Sequence, residues 1–187
     1  IMELAAFKST KNRSQQSLLE EIEQLGGMIQ CISTRESILY CVDVLRDNVE
    51  AALDILADSV LHAKYSEEEV TECKETALLM LNEMPSDMLS RDACQMAAYK
   101  GTPLGNHHFC PEEDIAKVNR GTILQFHKDF FVGNNCFISA AGIDHQEFVD
   151  LVKQKFGSLT KASDTSIQLK QRTPSKYIGG AVHNQRN

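Results

Sequence analysis

The sequence has no apolar run that approaches the roughly 18 residues of a membrane-spanning helix. Its first residues do not resemble a signal or transit peptide, and it contains no internal repeat or low-complexity block. These absences exclude a membrane span within the 187 residues and leave a globular domain with a substantial core as the expected form. Hydrophobic residues at 42% and charged residues at 24% are ordinary values for such a domain.

No C-x-x-C pair occurs among the cysteines, so a cysteine-based zinc site is not expected. Most of the cysteines lie inside apolar periodic segments of a chain that is rich in core residues. This placement favours buried, reduced thiols over a disulfide framework. The cysteines are Cys31, Cys41, Cys73, Cys94, Cys110 and Cys136.

Positive charge is outnumbered by negative charge, with 19 Lys and Arg against 26 Asp and Glu. The formal net charge is -7 and the sequence pI is about 5.4. Nucleic acids and anionic membranes attract the opposite sign of charge, so neither is an expected partner. A basic partner or substrate is compatible with this balance.

Hydrophobic periodicity predicts that most of the chain is helical. Ser14 can cap the first helix, and Ser66 with Glu69 forms a capping box at the start of the third. The predicted helices cover about residues 17–25, 48–62, 66–84, 87–99, 122–131 and 145–156.

Strand-like segments are fewer. Residues 28–34 and 36–44 read as a hairpin, and the second of them is apolar on both faces, which predicts a covered sheet. The run CFISAAGI, residues 136–143, predicts a buried third strand. The sequence therefore predicts an α+β fold, with a mixed, mainly antiparallel sheet and helices packed on one face.

The pattern weakens after Gly157, where Ser, Thr, Lys and Gln dominate to about Lys176. This composition is typical of a linker or tail. We therefore expect a domain over residues 1–160 and a linker or tail over residues 161–187.

The first residues carry a candidate for chemistry. Ile1, Leu4 and Ala5 share one face of a predicted helix, and Glu3 points elsewhere. Zinc hydrolases of the inverted type carry H-x-x-E-H on a helix, where both His hold the metal and the Glu deprotonates the bound water. Glu3 fits that Glu, Leu4 stands where the second His would be, and the first His is expected one residue before Ile1.

Three stretches resemble a known family in their order and spacing. They are AFKSTKNRSQ directly after Glu3, GGMIQCISTRESILYCVDV, and AYKGTPLG followed by HHFCPEEDIAKVNR. They resemble the mitochondrial processing peptidase family, inverted-motif zinc peptidases that also include the core subunits of the cytochrome bc1 complex. The resemblance runs from Ile1 to about Phe156, and weakly to 177–180. It implies a processing-peptidase-like fold, with this chain as most of the first of two similar halves.

The resemblance assigns family positions to residues of this chain. Glu3 matches the general base, Leu4 the second zinc-ligating His, Cys73 a supporting Glu, and Met80 the third ligand, a Glu. An insertion of three residues would align Glu83 with that ligand instead, but the ungapped register keeps the acidic helix cap in place. Neither an aliphatic side chain nor a thioether can replace these ligands of Zn²⁺. The resemblance therefore implies no catalytic zinc in this chain, with Leu4, Met80 and Leu81 filling the former site.

The stretch at residues 107–117 resembles alpha-type rather than catalytic beta-type members. This implies a non-catalytic alpha-like subunit in the mitochondrial matrix, partnered with a zinc-bearing beta-type subunit that cleaves basic presequences. Two alternatives remain open. One is a structural core subunit of the bc1 complex, and the other is an active zinc metalloendopeptidase with an unrecognised ligand set, which Leu4 disfavours.

Three acidic residues, Glu67, Glu68 and Glu69, lie in the first turn of the third predicted helix, where the helix dipole favours negative charge. Such clusters are usually solvated helix faces. Because the substrates of this family are rich in Arg, the three carboxylates are also candidates for binding them electrostatically.

The remaining polar residues of note are expected to be structural. His107 and His108, next to Cys110, are typical of a loop held by hydrogen bonds rather than of a metal cluster. Cys110 has no basic neighbour beyond these two His to activate it as a nucleophile. Asp144 is expected to cap the helix that begins at His145.

Overall fold

The computed structural model describes residues 1–159 and 174–181. The described residues form seven α-helices and one hairpin, so the α+β class is confirmed. The helices are α1 (Gln15–Gln24), α2 (Val49–Leu61), α3 (Glu67–Glu83), α4 (Ser86–Ala98), α5 (Glu112–Lys117), α6 (Arg120–Phe130) and α7 (His145–Phe156). The strands are β1 (Met28–Ser33) and β2 (Ile38–Asp43), and short 3-10 turns lie at Arg46–Asn48, Pro103–Gly105 and Gly133–Asn135.

Six predicted helices were confirmed to within about two residues at their ends, whereas the short α5 was missed and the N-terminal helix did not form. Their caps explain why. The Ser14 hydroxyl accepts a hydrogen bond from the Ser17 amide at 3.1 Å, and the Ser66–Glu69 capping box has both of its hydrogen bonds. No helix in the described ranges is long and apolar enough to cross a membrane.

β1 and β2 form an antiparallel hairpin in which Cys31 lies opposite Tyr40. These two side chains face a core formed with α1 and α2. The opposite face is open to solvent, because Met28, Ile32 and Leu39 are 69%, 43% and 53% exposed. The prediction of a covered sheet was therefore wrong for this face, because no described element packs over its apolar side chains.

The segment CFISAAGI does not form the predicted strand. Residues 136–143 have no regular secondary structure, and Phe137 is 98% exposed. A strand needs a neighbour that pairs with its N–H and C=O groups. Within the described part of the chain, no backbone–backbone hydrogen bond engages residues 137–143. The apolar pattern is present, but none of the strands in residues 1–159 or 174–181 pairs with it.

The predicted N-terminal helix is replaced by successive turns. The Ala5 amide donates to the Ile1 carbonyl at 2.9 Å, as in a helix. Phe7 then adopts a φ of 55°, in the left-handed region, and this ends the helical path. The ring of Phe7 is buried and lies edge-on to Tyr40, with centroids 5.5 Å apart. Tertiary packing of Phe7 thus overrides the local helical pattern.

Two apolar clusters form the interior. The buried members of the first are Ala5, Tyr65, Val70, Cys73 and Ile123, and those of the second are Phe7, Leu18, Ile22 and Ile55. Ala5 and Phe7 belong to the same N-terminal turn. That turn therefore joins the helical side of the molecule to the hairpin side.

A network of charges fixes the loop that follows this turn. The Arg13 guanidinium contacts the carboxylates of Asp58 at 2.8 Å, Asp54 at 2.7 Å and Glu21 at 2.9 Å. Lys155 of α7 lies 2.9 Å from a carboxylate oxygen of Asp54. One side chain in a loop thereby connects α1 and α2, and α7 joins through Asp54.

Asp58 is the most buried member of this network, at 4% exposure. The Thr10 hydroxyl donates to one carboxylate oxygen at 2.7 Å, and the Asn12 side-chain amide donates to the other at 2.6 Å. Burial alone would raise the pKa of Asp58, but hydrogen bonds from Thr10, Arg13 and Asn12 outweigh it, so the pKa lies below its usual range. The buried charge is therefore compensated.

The predicted linker falls mostly on residues that the structure does not describe. Of residues 161–187, only 174–181 are described. The division into a domain over residues 1–160 and a linker over residues 161–187 stays a prediction.

We expect Asp58→Asn to lower the free energy of unfolding by about 3 kcal/mol at neutral pH, because it leaves Arg13 without its buried partner. Urea denaturation measures this loss. Asp150→Asn is the matched control, since Asp150 and Lys153 form an exposed pair at 3.6 Å. That variant should change stability by no more than about 0.5 kcal/mol. Equal losses of unfolding free energy in the two variants would contradict the greater contribution of Asp58 to stability.

The same substitution predicts a pH dependence. Because the folded-state pKa of Asp58 is lowered, its contribution is complete above the ordinary Asp pKa and is lost as pH falls through the lowered value. The stability difference between wild type and Asp58→Asn should therefore shrink as pH falls below about 4. A difference that stays constant down to the acid transition would contradict this.

Candidate functional site

Glu3, at the position of the family's general base, is committed to a structural contact. One oxygen of its half-buried carboxylate accepts hydrogen bonds from the Ser33 amide, at 2.9 Å, and from the Ser33 hydroxyl. Ser33 is the last residue of β1, so this contact ties the N-terminal turn to the end of the hairpin strand. Sequence reasoning missed Ser33, which lies 30 residues away with no local signal.

Leu4 and Cys73 meet in the first apolar cluster. Cys73 is 1% exposed there, and the partly buried Leu4 packs against the same cluster. Burial raises the pKa of the Cys73 thiol, which keeps it protonated at neutral pH. Leu4 has no donor atom, and the buried Cys73 would have to lose its proton to bind zinc.

Met80 does not join this cluster. It lies on α3 about two turns beyond Cys73 and is 53% exposed, beside Leu79 at 57%. The expectation that Met80 fills an apolar former site together with Leu4 was therefore wrong, because this part of α3 extends past the elements that pack on its first half. Glu83, the alternative ligand position, is exposed near the end of the same helix.

The N-terminal turn nevertheless lies beside the first half of α3. The Ser9 amide donates to Glu69 at 2.8 Å, and the Lys8 ammonium lies 2.6 Å from a carboxylate oxygen of Glu72. Among the described residues, no group of three or more His, Cys, Asp or Glu side chains is arranged to hold a metal ion.

The three acidic candidates separate into two kinds. Glu69 bonds the amides of Ser9 and Ser66, and although burial would raise its pKa, these hydrogen bonds lower it. Glu67 and Glu68 are exposed. The pKa of Glu68 is lowered by hydrogen bonds from its own backbone and Ser66. Only two of the three carboxylates therefore face solvent on a ligand-accessible surface.

The loop with the two His is held by a second charged pair. Arg35, in the hairpin turn, contacts Asp92 of α4, and its Nε donates to the Asn106 carbonyl at 3.3 Å. The His108 amide donates to Asp92 at 3.2 Å, and a ring nitrogen of His107 lies 3.8 Å from the same carboxylate. Of the expected loop hydrogen bonds, this contact of the His108 backbone is present, while the His107 ring is too far from Asp92 for one. Sequence reasoning did not identify Arg35 or Asp92.

The remaining candidates also have structural surroundings. Asp144 accepts hydrogen bonds from the amides of Gln146 at 2.9 Å and Glu147 at 3.1 Å, which confirms the predicted helix cap.

Burial raises the pKa of Cys110, so this thiol is not activated. All six cysteines are free, but only Cys73 is fully buried and Cys94 is exposed, so burial of the thiols was predicted too broadly.

We expect the Glu3–Ser33 contact to contribute to stability. Glu3→Ala should lower the free energy of unfolding by about 2 kcal/mol and Ser33→Ala by about 1 kcal/mol, since hydrogen bonds to a charged group are lost. The double variant should show a coupling energy of about 1 kcal/mol in urea denaturation. Gln30→Ala, on the solvent face of β1, is the control and should change stability by less than about 0.5 kcal/mol. If the stability losses of the two single variants simply add up in the double variant, the two side chains do not interact and the contact is contradicted.

Two family descriptions match the sequence. Residues 1–112 match "Insulinase (Peptidase family M16)", and residues 117–187 match "Peptidase M16 inactive domain". The first match alone covers more than half of the chain and includes the positions of Glu3, Leu4, Cys73 and Met80.

Curated relatives agree with this assignment. The chain is 34% identical over 166 residues to the mitochondrial-processing peptidase subunit alpha of Neurospora crassa. The aligned region covers 88% of this chain and 29% of that protein. It is 30% identical over 184 residues to a probable mitochondrial-processing peptidase subunit beta of Arabidopsis thaliana, covering 97% and 35% of the two chains. It is 33% identical over 186 residues to the beta subunit of Dictyostelium discoideum, covering 97% and 39%.

The chain thus spans about a third of the length of these relatives. Relatives named alpha and relatives named beta match at similar identity, and the resemblance to the processing peptidases is confirmed. The chain belongs to peptidase family M16, the insulinase family.

Proposed function

We propose that this chain is part of a non-catalytic, alpha-like subunit of a mitochondrial processing peptidase. It acts in the mitochondrial matrix beside a zinc-bearing beta-type subunit, which carries out the cleavage. One observation carries this proposal: Leu4, at the position of a metal-binding His, packs into an apolar cluster with the protonated thiol of Cys73. The names of the relatives supply the class of peptidase.

The side chains at the metal positions do not fit a catalytic zinc. Such a site needs three nitrogen, carboxylate or thiolate donors directed at one ion. Leu4 has no donor atom, Cys73 is buried in an apolar cluster, and Met80 presents a soft thioether at the surface. Glu3 already accepts two hydrogen bonds from Ser33. We therefore assign no hydrolytic step to this chain.

The contribution of the chain is then to attract and position the substrate. Glu67 and Glu68 lie at the exposed N-terminal end of α3, while the carboxylates of Glu69 and Glu72 are occupied by Ser9 and Lys8. Both carboxylates are exposed, although Glu68 also accepts local hydrogen bonds from its own backbone and Ser66. Two exposed carboxylates on an acidic chain attract a basic peptide over roughly a Debye length, about 8 Å at physiological salt. This supports weak, salt-dependent binding of Arg-rich presequences.

Zinc content and presequence cleavage of the full-length subunit test the proposal. Alone, the subunit should bind less than about a tenth of an equivalent of zinc and cleave nothing, because its ligand set is incomplete. Mixing it with a catalytic beta-type subunit should give cleavage. Stoichiometric zinc and cleavage by the subunit alone would overturn the assignment. Inactivity in both settings would instead favour a structural core subunit of the bc1 complex.

The double substitution Glu67→Gln and Glu68→Gln tests the binding of basic peptides. It should weaken binding of an Arg-rich presequence peptide about three-fold at low salt, and the difference should vanish near 0.5 M salt. The matched control is Glu112→Gln with Glu113→Gln, two exposed acids in the first turn of α5. An equal effect in the control would indicate a response to net charge alone, and no effect in either would remove this role from α3.

A further inference from the structure

Residues 174–181, which we name the strap, lie across the C-terminal end of α4. The amides of Ile178 and Gly179 both donate to the Ala98 carbonyl, at 2.8 Å and 3.3 Å. Carbonyls in the last turn of a helix have no partner within the helix. The strap therefore supplies donors that the end of α4 needs.

Two further contacts hold the strap. The Leu104 amide, in the turn Pro103–Gly105, donates to the Ser175 hydroxyl at 3.2 Å. The ring of Tyr177 stands edge-on to that of Tyr99, with centroids 5.9 Å apart. An edge-to-face pair of this kind is a favourable aromatic geometry. The strap thus contacts both α4 and the turn that follows it.

Gly180 lies too close to α4 for a larger residue. A Cβ atom at this position would lie 3.1 Å from the Ala97 carbonyl oxygen, closer than ordinary van der Waals contact. The backbone of the strap approaches the helix directly, as an extended peptide does in a groove.

The strap is nevertheless held by few contacts. Tyr177 is 69% exposed and Ile178 is 60% exposed, so its two largest apolar side chains bury little surface. Segments with few buried apolar contacts open at much lower cost than the core does. Detachment would expose the Ala98 carbonyl, the Leu104 amide and the Tyr99 ring together.

A shallow depression adjoins these groups. It is lined by Ser90, Arg91, Cys94, Gln95, Tyr99 and Leu104. Tyr99 and Leu104 thus belong both to the depression and to the contacts of the strap, so the strap lies along one side of it.

We propose that the end of α4 and the turn Pro103–Gly105 form a docking groove for an extended peptide, and that the strap is its reversible occupant. A peptide that binds this groove must present an aromatic ring, then two successive backbone amide donors, then a residue without a side chain. Tyr177, Ile178, Gly179 and Gly180 meet these requirements in order. This inference does not depend on the proposed function.

Hydrogen exchange of the whole chain tests the docking. In the wild type, the Ile178 amide should exchange about ten-fold or more slowly than an unprotected amide, but far faster than amides within α2. Gly180→Ala should remove this protection. Gly142→Ala is the matched control, because Gly142 also has a positive φ, 87°, and a Cβ there would meet nothing within 4 Å. It should leave the Ile178 amide unchanged.

Two results in that experiment would overturn the proposal. An unprotected Ile178 amide in the wild type would mean that the strap is not docked. Exchange as slow as that of the α2 amides would mean that the strap is a fixed part of the fold and not a reversible occupant.

A peptide of sequence PSKYIGGA, residues 174–181, tests the groove itself. Added to the whole chain carrying Tyr177→Ala and Gly180→Ala, it should shift the NMR signal of the Leu104 amide saturably. Its apparent affinity for wild type should be at least about ten-fold weaker, since ten-fold protection of the strap leaves the groove free no more than about a tenth of the time. The peptide PSKAIGVA, which lacks the ring and the second glycine, is the control and should not bind. No saturable shift in the variant chain, or equal binding of the two peptides, would contradict the groove.

Discussion

The structure depends on compensating one buried negative charge. The Asp58 carboxylate is out of water on α2, and a buried charge must be paired and hydrogen-bonded. Thr10, Asn12 and Arg13 meet that need from a single loop. Holding this loop against α2 positions the N-terminal turn before it, which is why one turn can enter both apolar clusters and bring Glu3 to the end of β1.

Features set by neighbouring residues could be predicted from the sequence, and features set by distant partners could not. The Ser14 cap and the Ser66–Glu69 capping box are local, and the helices they begin were predicted. The pair of Arg13 and Asp58 spans 45 residues, and it leaves no periodic signal. Strand pairing is equally non-local, so an apolar run at residues 136–143 could indicate a strand without securing a neighbour for it.

In the candidate site, too, the residue types could be predicted to matter, whereas contacts with distant partners could not. The residue types alone predicted that Leu4 offers no metal donor. They could not predict that Glu3 would bond Ser33, or that Glu69 would be occupied by Ser9. Cys73 and Met80 are seven residues apart and share a helix face in sequence, yet one is buried and the other exposed. Exposure along α3 depends on where the packing elements end, which no helical period encodes.

The open face of the hairpin has a consequence for the life of the chain in a cell. Met28, Ile32 and Leu39 present adjoining apolar side chains on a hairpin whose strands are only six residues long. Exposed apolar surface of this kind is what holdase chaperones and quality-control proteases recognise. Two processes would therefore compete for each newly made copy: capture by that machinery and burial of this face against another surface. The relative rates of the two would set the abundance of the chain.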